Sequence, residues 1–176
     1  MSLEDIEEFI LSKIRESRLP GLSLGIIKDG ELIYARGFGF RDIEKGLPAT
    51  PWTIYGIGSI TKSFTALAIL KLVEEGRLSL DDPVDKYVQV RLNPRGVVTI
   101  HHLLTHSSGL PALGYAEAFI SGVLSLDSNW LPLSTPEDVL TFMGNAADWA
   151  VARPGERFFY LNEGYVILGL IIKKVS

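Results

Sequence analysis

The chain has no cysteine, which excludes disulfides and thiolate chemistry and leaves the redox compartment unread. It has no block of basic residues, and its formal net charge is −4, which argues against a nucleic acid or an anionic membrane as partner. It has no run of about 18 apolar residues, so no transmembrane helix is expected. The densest apolar stretch, Tyr165 to Ile172, is too short to span. The acidic start Met1-Ser2-Leu3-Glu4-Asp5 lacks the basic region, apolar core and small-residue cleavage site of a signal peptide. If that start is the natural one, a cytoplasmic location is expected. Repeats, low-complexity tracts and interdomain linkers are also missing. A single glutamine leans toward a heat-adapted composition.

What is present is ordinary in bulk. The 176 residues suffice for one domain or for part of a larger one, with 47% apolar and 22% charged residues. The mean hydropathy of +0.22 is high for a small soluble domain. It fits an apolar surface covered by another segment or another chain, a homo-oligomer included.

The periodicity predicts helices and a few strands. Leu3 to Arg18 carries apolar residues at Leu3, Ile6, Phe9/Ile10 and Ile14, an amphipathic helix ended by Leu19-Pro20-Gly21. Two β-like runs, Leu22 to Lys28 and Glu31 to Phe38, flank Asp29-Gly30, which is a hairpin signal because a type I′ turn needs positive φ at both positions. Arg41 to Pro51 reads as turn. Ser59 to Glu75 reads as a helix whose apolar residues cover nearly every face, which predicts a buried central helix closed by Gly76. Thr99 to His106 is a short helix. Gly109 to Leu133 has no clean period. Thr135-Pro136 opens a further helix, and an apolar helix runs from Asn162. Two strands alone are marginal in water, and that last helix is still apolar at Ile171-Ile172. The chain is therefore expected to be one piece of a longer protein, with further sheet strands supplied from outside it.

The chemistry centres on Ser59-Ile60-Thr61-Lys62, which follows Gly56-Ile57-Gly58. On a helix, positions i and i+3 share a face, so this spacing places a hydroxyl beside an amine. An alcohol is a weak nucleophile without a base nearby, and a lysine can serve when burial or neighbouring charge favours its neutral form. The bland reading is an N-capping serine followed by a solvated lysine. Against it, Lys62 lies on an almost wholly apolar helix, and the helix N-terminus offers a backbone N–H and a positive dipole end to an oxyanion. The same residues also approach a phosphate-binding loop, Gly56, four residues, then Thr61-Lys62-Ser63. That loop needs glycine where Thr61 stands, and no strand ending in a magnesium-binding aspartate follows.

Tyr160-Leu161-Asn162 is the second constellation. A tyrosine becomes a base when a cation such as Lys62 lowers its pKa, and an asparagine can tie a lysine to a substrate amide. Its bland reading is a strand-end tyrosine and an N-capping asparagine. His102 and His106, at i and i+4, have metal-ligand spacing but no third ligand nearby, which favours a helix-terminal role for His106. No metal and no cofactor are expected. Asp81-Asp82 reads as a turn, and Trp52, Trp130 and Trp149 as core or pocket-wall residues.

These segments, in this order, resemble the serine β-lactamase and penicillin-binding-protein-like family, especially its class C β-lactamase, esterase and D-aminopeptidase branch. The most specific stretch is Tyr55 to Tyr87, with GIGSITKSFTALAILKLVEEGRLSLDDPVDKY; TIHHLLTHSSGL, Thr99 to Leu110, is a further match. Tyr160-Leu161-Asn162 looks like the family's Tyr-x-Asn motif. Three motifs in order outweigh the phosphate-loop reading. The resemblance implies an α+β fold of the β-lactamase/transpeptidase type, an antiparallel sheet flanked by helices plus a helical region. Residues 1–176 would form the N-terminal portion of one catalytic domain, 1–50 giving a helix and a hairpin of the sheet and 51–176 the helical region.

By the same resemblance, Ser59 would be the acylated nucleophile and Lys62 would take or relay its proton. Tyr160 would be the second base, and Asn162 would orient Lys62 and the substrate. The Ser59 N–H would give half of an oxyanion hole. The family's third motif, Lys/His-Thr/Ser/x-Gly on a later strand, does not follow Asn162, so the other half is expected from the remainder of the fold. The implied function is a serine hydrolase acting on a small-molecule or peptide amide or ester. β-Lactamase or penicillin-binding activity, a non-catalytic binding protein on the same scaffold, and a nucleotide binder are the alternatives.

Overall fold

A computed structural model describes residues 2–111, 134–145 and 147–176. The chain divides into two units, Met1–Ile57 and Gly58–Ser176. Most of the aperiodic 109–133 segment, with Trp130, lies outside the described residues.

The first unit contains α1 (Leu3–Ser17) and a three-stranded antiparallel sheet of β1 (Gly21–Lys28), β2 (Glu31–Asp42) and β3 (Leu47–Pro48), in that spatial order. Ser2 caps α1 by accepting from the Asp5 N–H at 3.1 Å while Asp5 accepts from the Ser2 N–H, a reciprocal box that satisfies two otherwise orphaned donors. Asp29 and Gly30 have φ of 53° and 83°, the two positive values a type I′ turn requires. The register runs from Gly21 opposite Gly39 to Lys28 opposite Glu31, with an irregularity between Ile26 and Ile27. Glu7 of α1 accepts from the Tyr34 hydroxyl and from Arg36 of β2, tying helix to sheet.

β3 lies where the sequence predicts only turn. A tight reversal brings the chain back on β2, with the Lys45 N–H on the Asp42 carboxylate and the Gly46 N–H on the Ile43 carbonyl. The strand ends at Pro48, which has no N–H to continue a ladder. Of the two places the sequence allows Trp52, core or pocket wall, the structure gives the second: it is 86% exposed and lines a cleft with Pro20, Phe40, Leu47 and Tyr55.

In the second unit, a 3₁₀ turn (Gly58–Ile60) leads directly into α2 (Thr61–Glu74). A 3₁₀ turn at Val84–Lys86, the short α3 (Ile100–Leu104), α4 (Pro136–Asn145), a 3₁₀ turn at Ala147–Trp149 and α5 (Asn162–Val175) follow. Thr135 caps α4 as its sequence predicts, accepting from the Asp138 N–H at 3.1 Å. The core gathers Ile69 and Leu72 of α2, Ile100 and Leu103 of α3, Val139 and Met143 of α4, and Ile167, Leu168 and Ile171 of α5. Full burial of each aliphatic side chain stabilises by about 1.5–3 kcal/mol.

α2 is not buried all round. Among the described residues of this helix only Ile69 and Leu72 are buried, while Phe64, Leu67 and Leu70 are exposed. An apolar composition on every face says that a helix can be surrounded; the residues of this chain cover one side of it.

Two polar devices bring the segments after α3 and after α4 together. The buried Asn93 side chain donates to the Ser108 carbonyl at 2.8 Å and to the Ala152 carbonyl at 3.0 Å. Gly109, at φ 82°, approaches residue 152 so closely that a Cβ would run into the Ala152 carbonyl. Residues 107–110 and 151–155 are thereby held side by side, which sets the path of the chain into residues 158–162.

Candidate active site

Ser59 occupies the middle of the 3₁₀ turn before α2, and Lys62 the first turn of that helix. The N-cap is Ile60, and no side chain caps α2, so the Ser59 hydroxyl is not spent on the helix start. It faces Lys62 and Tyr160 instead. Lys62 Nζ donates to Ser59 Oγ at 3.2 Å and to Asn162 Oδ1 at 2.8 Å, and the Tyr160 hydroxyl lies 2.7 Å from Ser59 Oγ. The four residues named from the sequence are thus direct neighbours, although about a hundred positions separate Ser59 and Lys62 from Tyr160 and Asn162.

Asn162 is the first residue of α5, with Leu161 as the N-cap. Its amide oxygen is engaged by Lys62 and does not cap the helix, in place of the bland expectation for an asparagine at a helix start. Lys62 Nζ also sits over the Tyr160 ring, 4.8 Å from its centroid, and 5.7 Å from that of Tyr165. Both distances lie within the range of cation–π attraction.

The electrostatics follow from this packing. Hydrogen bonding with Lys62 first, then with Ser59, and the Lys62 charge after that, pull the Tyr160 phenol below its ordinary pKa of 10. Burial first and the Lys62 charge second push the His106 imidazole below its ordinary value. Tyr165 moves the opposite way, raised by burial and by Tyr160. A phenol made more acidic, next to a hydroxyl and a lysine, is a usable base.

Two participants went unnamed in the sequence reading of the site. Tyr165 stands three positions after Asn162 on α5 and so shares its face, a spacing that was legible. Its hydroxyl donates to the Leu104 carbonyl at 2.9 Å. His106, assigned to a helix end, is at the end of α3, but its ring packs between Tyr160 and Tyr165, with centroids 4.4 and 5.1 Å away. The other member of the i,i+4 pair, His102, uses Nδ1 to accept from the Thr99 N–H at 3.1 Å. Among the described residues no group of three or more His, Asp or Glu is placed to hold a metal ion.

A cavity of 370 Å³ adjoins the Lys62–Asn162 bond, lined by Thr61, Lys62, Thr65, Asn162, Tyr165 and Val166. Another cleft, of 390 Å³, lies along 84–85 and 90–98 and contains none of the four candidate residues. Among the described residues no helix is long and apolar enough to cross a membrane.

The Beta-lactamase family model matches residues 6–176, and the chain belongs to that family. Protein flp of Staphylococcus aureus (strain NCTC 8325 / PS 47) is 38% identical over 180 residues, covering 99% of this chain and 34% of its own length. Esterase EstB of Burkholderia gladioli is 43% identical over 103 residues, 55% of this chain and 26% of its own.

Among solved structures, the octameric penicillin-binding protein homologue from Pyrococcus abyssi is 64% identical, with a TM-score of 0.90 over 100% of this chain and 40% of that one. EstCE1, a hydrolase with promiscuous acyltransferase activity, is 25% identical with a TM-score of 0.81, over 98% of this chain and 46% of that one. The fold is the expected α+β, β-lactamase/transpeptidase-like one. The chain spans about a third of the length of the first of these curated relatives and 40% of the Pyrococcus structure.

Proposed function

We propose that the protein carrying this chain is a serine hydrolase that cleaves an amide or ester through an acyl-enzyme on Ser59. One observation carries the reading: Ser59 Oγ is contacted at once by Lys62 Nζ, 3.2 Å, and by the Tyr160 hydroxyl, 2.7 Å. Ser59 Oγ attacks the substrate carbonyl carbon, and its proton passes to Tyr160, directly or relayed by Lys62. The C–N or C–O bond to the leaving group then breaks as that group takes the proton. Tyr160 next draws a proton from water, which attacks the ester carbonyl; the bond from the acyl carbon to Ser59 Oγ breaks, Oγ takes that proton back from Tyr160, and the acid and free Ser59 are released. Asn162 fixes Lys62 and reaches toward a substrate amide. The Ser59 N–H at the start of α2 is one oxyanion donor; a second comes from the remainder of the fold, and such a donor supports rate by about 10²–10³-fold.

The esterase and hydrolase relatives, at 43% and 25% identity, support ester or amide chemistry. The octameric state belongs to the Pyrococcus homologue; at 64% identity it supports self-association here, which light scattering reads directly.

The test is covalent labelling of the complete protein with a fluorophosphonate or a β-lactam, located by peptide mass spectrometry. Modification of Ser59, and loss of both labelling and p-nitrophenyl ester turnover in Ser59→Ala, is expected. Unlabelled Ser59 with turnover intact in Ser59→Ala would overturn the reading. Labelling without turnover on esters and D-amino-acid amides would instead assign the scaffold to binding.

A further inference from the structure

We propose that His106 is the positioning residue for Tyr160, holding the backbone on both sides of that tyrosine and backing its ring so that the phenol stays on Ser59. The inference rests on the reading of Tyr160 as a base acting at Ser59.

The helix end that carries His106 is built for a glycine. The Ser107 N–H donates to the His102 carbonyl at 2.8 Å and the His106 N–H to the Leu103 carbonyl at 3.2 Å, the paired bonds of a Schellman motif. α2 ends in the same way: the Arg77 N–H bonds to the Leu72 carbonyl at 3.0 Å and the Gly76 N–H to the Val73 carbonyl at 2.9 Å. The residue that turns left-handed is Gly76 there, φ 67°, and His106 here, φ 55°. A side chain in that conformation is strained, and such strain persists where the surroundings hold it in place.

Most of those surroundings belong to the Tyr160 segment, with the Tyr165 ring of α5 on the other side at 5.1 Å. The His106 carbonyl accepts from the Phe159 N–H at 2.8 Å, and His106 Nδ1 accepts from the Leu161 N–H at 3.1 Å. In an extended chain, N–H groups two residues apart point the same way. One residue therefore grips the backbone immediately before and immediately after Tyr160. Its ring lies 4.4 Å from the Tyr160 ring at 35°, while Phe158 meets it edge-on at 5.7 Å. With Nδ1 accepting, the proton of the neutral ring is on Nε2. Protonation of Nδ1 would remove the bond to Leu161 and add a second cation beside Lys62. No hydrogen bond joins His106 to Ser59 among the described residues, and His106 is assigned no part in proton transfer; it acts through Tyr160.

Three variants of the complete protein separate the parts. His106→Gly suits the left-handed turn but lacks acceptor and ring. His106→Asn tolerates the turn and keeps an acceptor, Oδ1, at the branch position of Nδ1. His106→Phe keeps the ring and loses the acceptor. The rate of Ser59 labelling is expected to fall about 10- to 100-fold in His106→Gly, as for an ångström-scale misplacement, with melting temperature and substrate KM little changed. His106→Asn should recover most of the rate, and His106→Phe should not.

In a Tyr160→Phe background the His106→Gly loss should vanish, because nothing remains to be positioned. A His106→Gly variant that labels at the parent rate, or a loss that persists undiminished in the Tyr160→Phe background, would overturn the inference. If Tyr160→Phe itself labels at the parent rate, it is the role assigned to Tyr160 that falls.

Discussion

α2 and α5 are both 14 residues long, both apolar, and each brings half of the candidate site, yet this chain treats them differently. α5 buries Gly164, Ile167, Leu168 and Ile171 along one stripe, and Glu163 with them, against α2, α3 and α4. α2 buries Ile69 and Leu72 and leaves Phe64, Leu67 and Leu70 exposed. Apolar sequence thus reports what a helix tolerates as surroundings, and only packing reports what it has. The candidate site residues follow the same division. Ser59 and Lys62 ride at the start of the partly covered helix, and Tyr160 and Asn162 at the entry to the well-packed one. The Lys62–Asn162 and Tyr160–Ser59 bonds join the two.

The largest expected effect removes the proposed nucleophile on the α2 side. Ser59→Ala should lower turnover by about 10⁴-fold or more, read as kcat on an activated ester. On the α5 side, Tyr160→Phe should cost about 10²–10⁴-fold in kcat, the usual worth of a placed acid–base group. If Tyr160→Phe were neutral while Ser59→Ala was silent, the chemistry would belong to the α2 side alone.

Stability separates the helices next. Ile69→Ala on α2 and Ile167→Ala on α5, both fully buried, should each cost about 2–5 kcal/mol in denaturant melts. Leu67→Ala, at a position 62% exposed, should cost less than about 1 kcal/mol in this chain. A much larger loss at Leu67 in the complete protein would reveal a layer that covers the outer side of α2.

How far all this could be read from the sequence depended on whether the deciding contact was local. Ser59 and Lys62 were legible because three residues on a helix start define a face. The Asp29-Gly30 hairpin and the Thr135 cap were legible because turn and cap chemistry is local. Chemistry suggested Tyr160 and Asn162 as companions of Lys62, but resemblance to a family was what favoured that over the bland reading, since spacing does not report a closure across a hundred residues. β3 was missed because two paired residues leave no period. The outer face of α2 was read as buried because hydrophobicity ranks a residue's preference and not its neighbours. His106 was placed at a helix end correctly, but the ring's partners arrive from residues 158–165, beyond any local signal.

The smallest expected effect tests whether the field of one helix reaches the entry of the other. The Lys62 charge lowers both the Tyr160 phenol and the His106 imidazole. Lys62→Met should therefore raise both titrations, since it removes the cation that favours the phenolate and disfavours the imidazolium. Nuclear magnetic resonance of ¹³C-labelled tyrosine and histidine reads each separately. The linked stability has a definite sign. Because the folded protein holds His106 below its ordinary 6.5, the unfolded chain takes up the proton first. The contribution of neutral His106 is complete above pH 6.5 and declines as pH falls below it, toward the depressed folded value. Lys62→Met should shrink that decline and leave the part caused by burial, which is the larger cause. A decline unchanged by Lys62→Met would mean that burial alone sets His106, and that the two helix starts are coupled through their hydrogen bonds and not through charge.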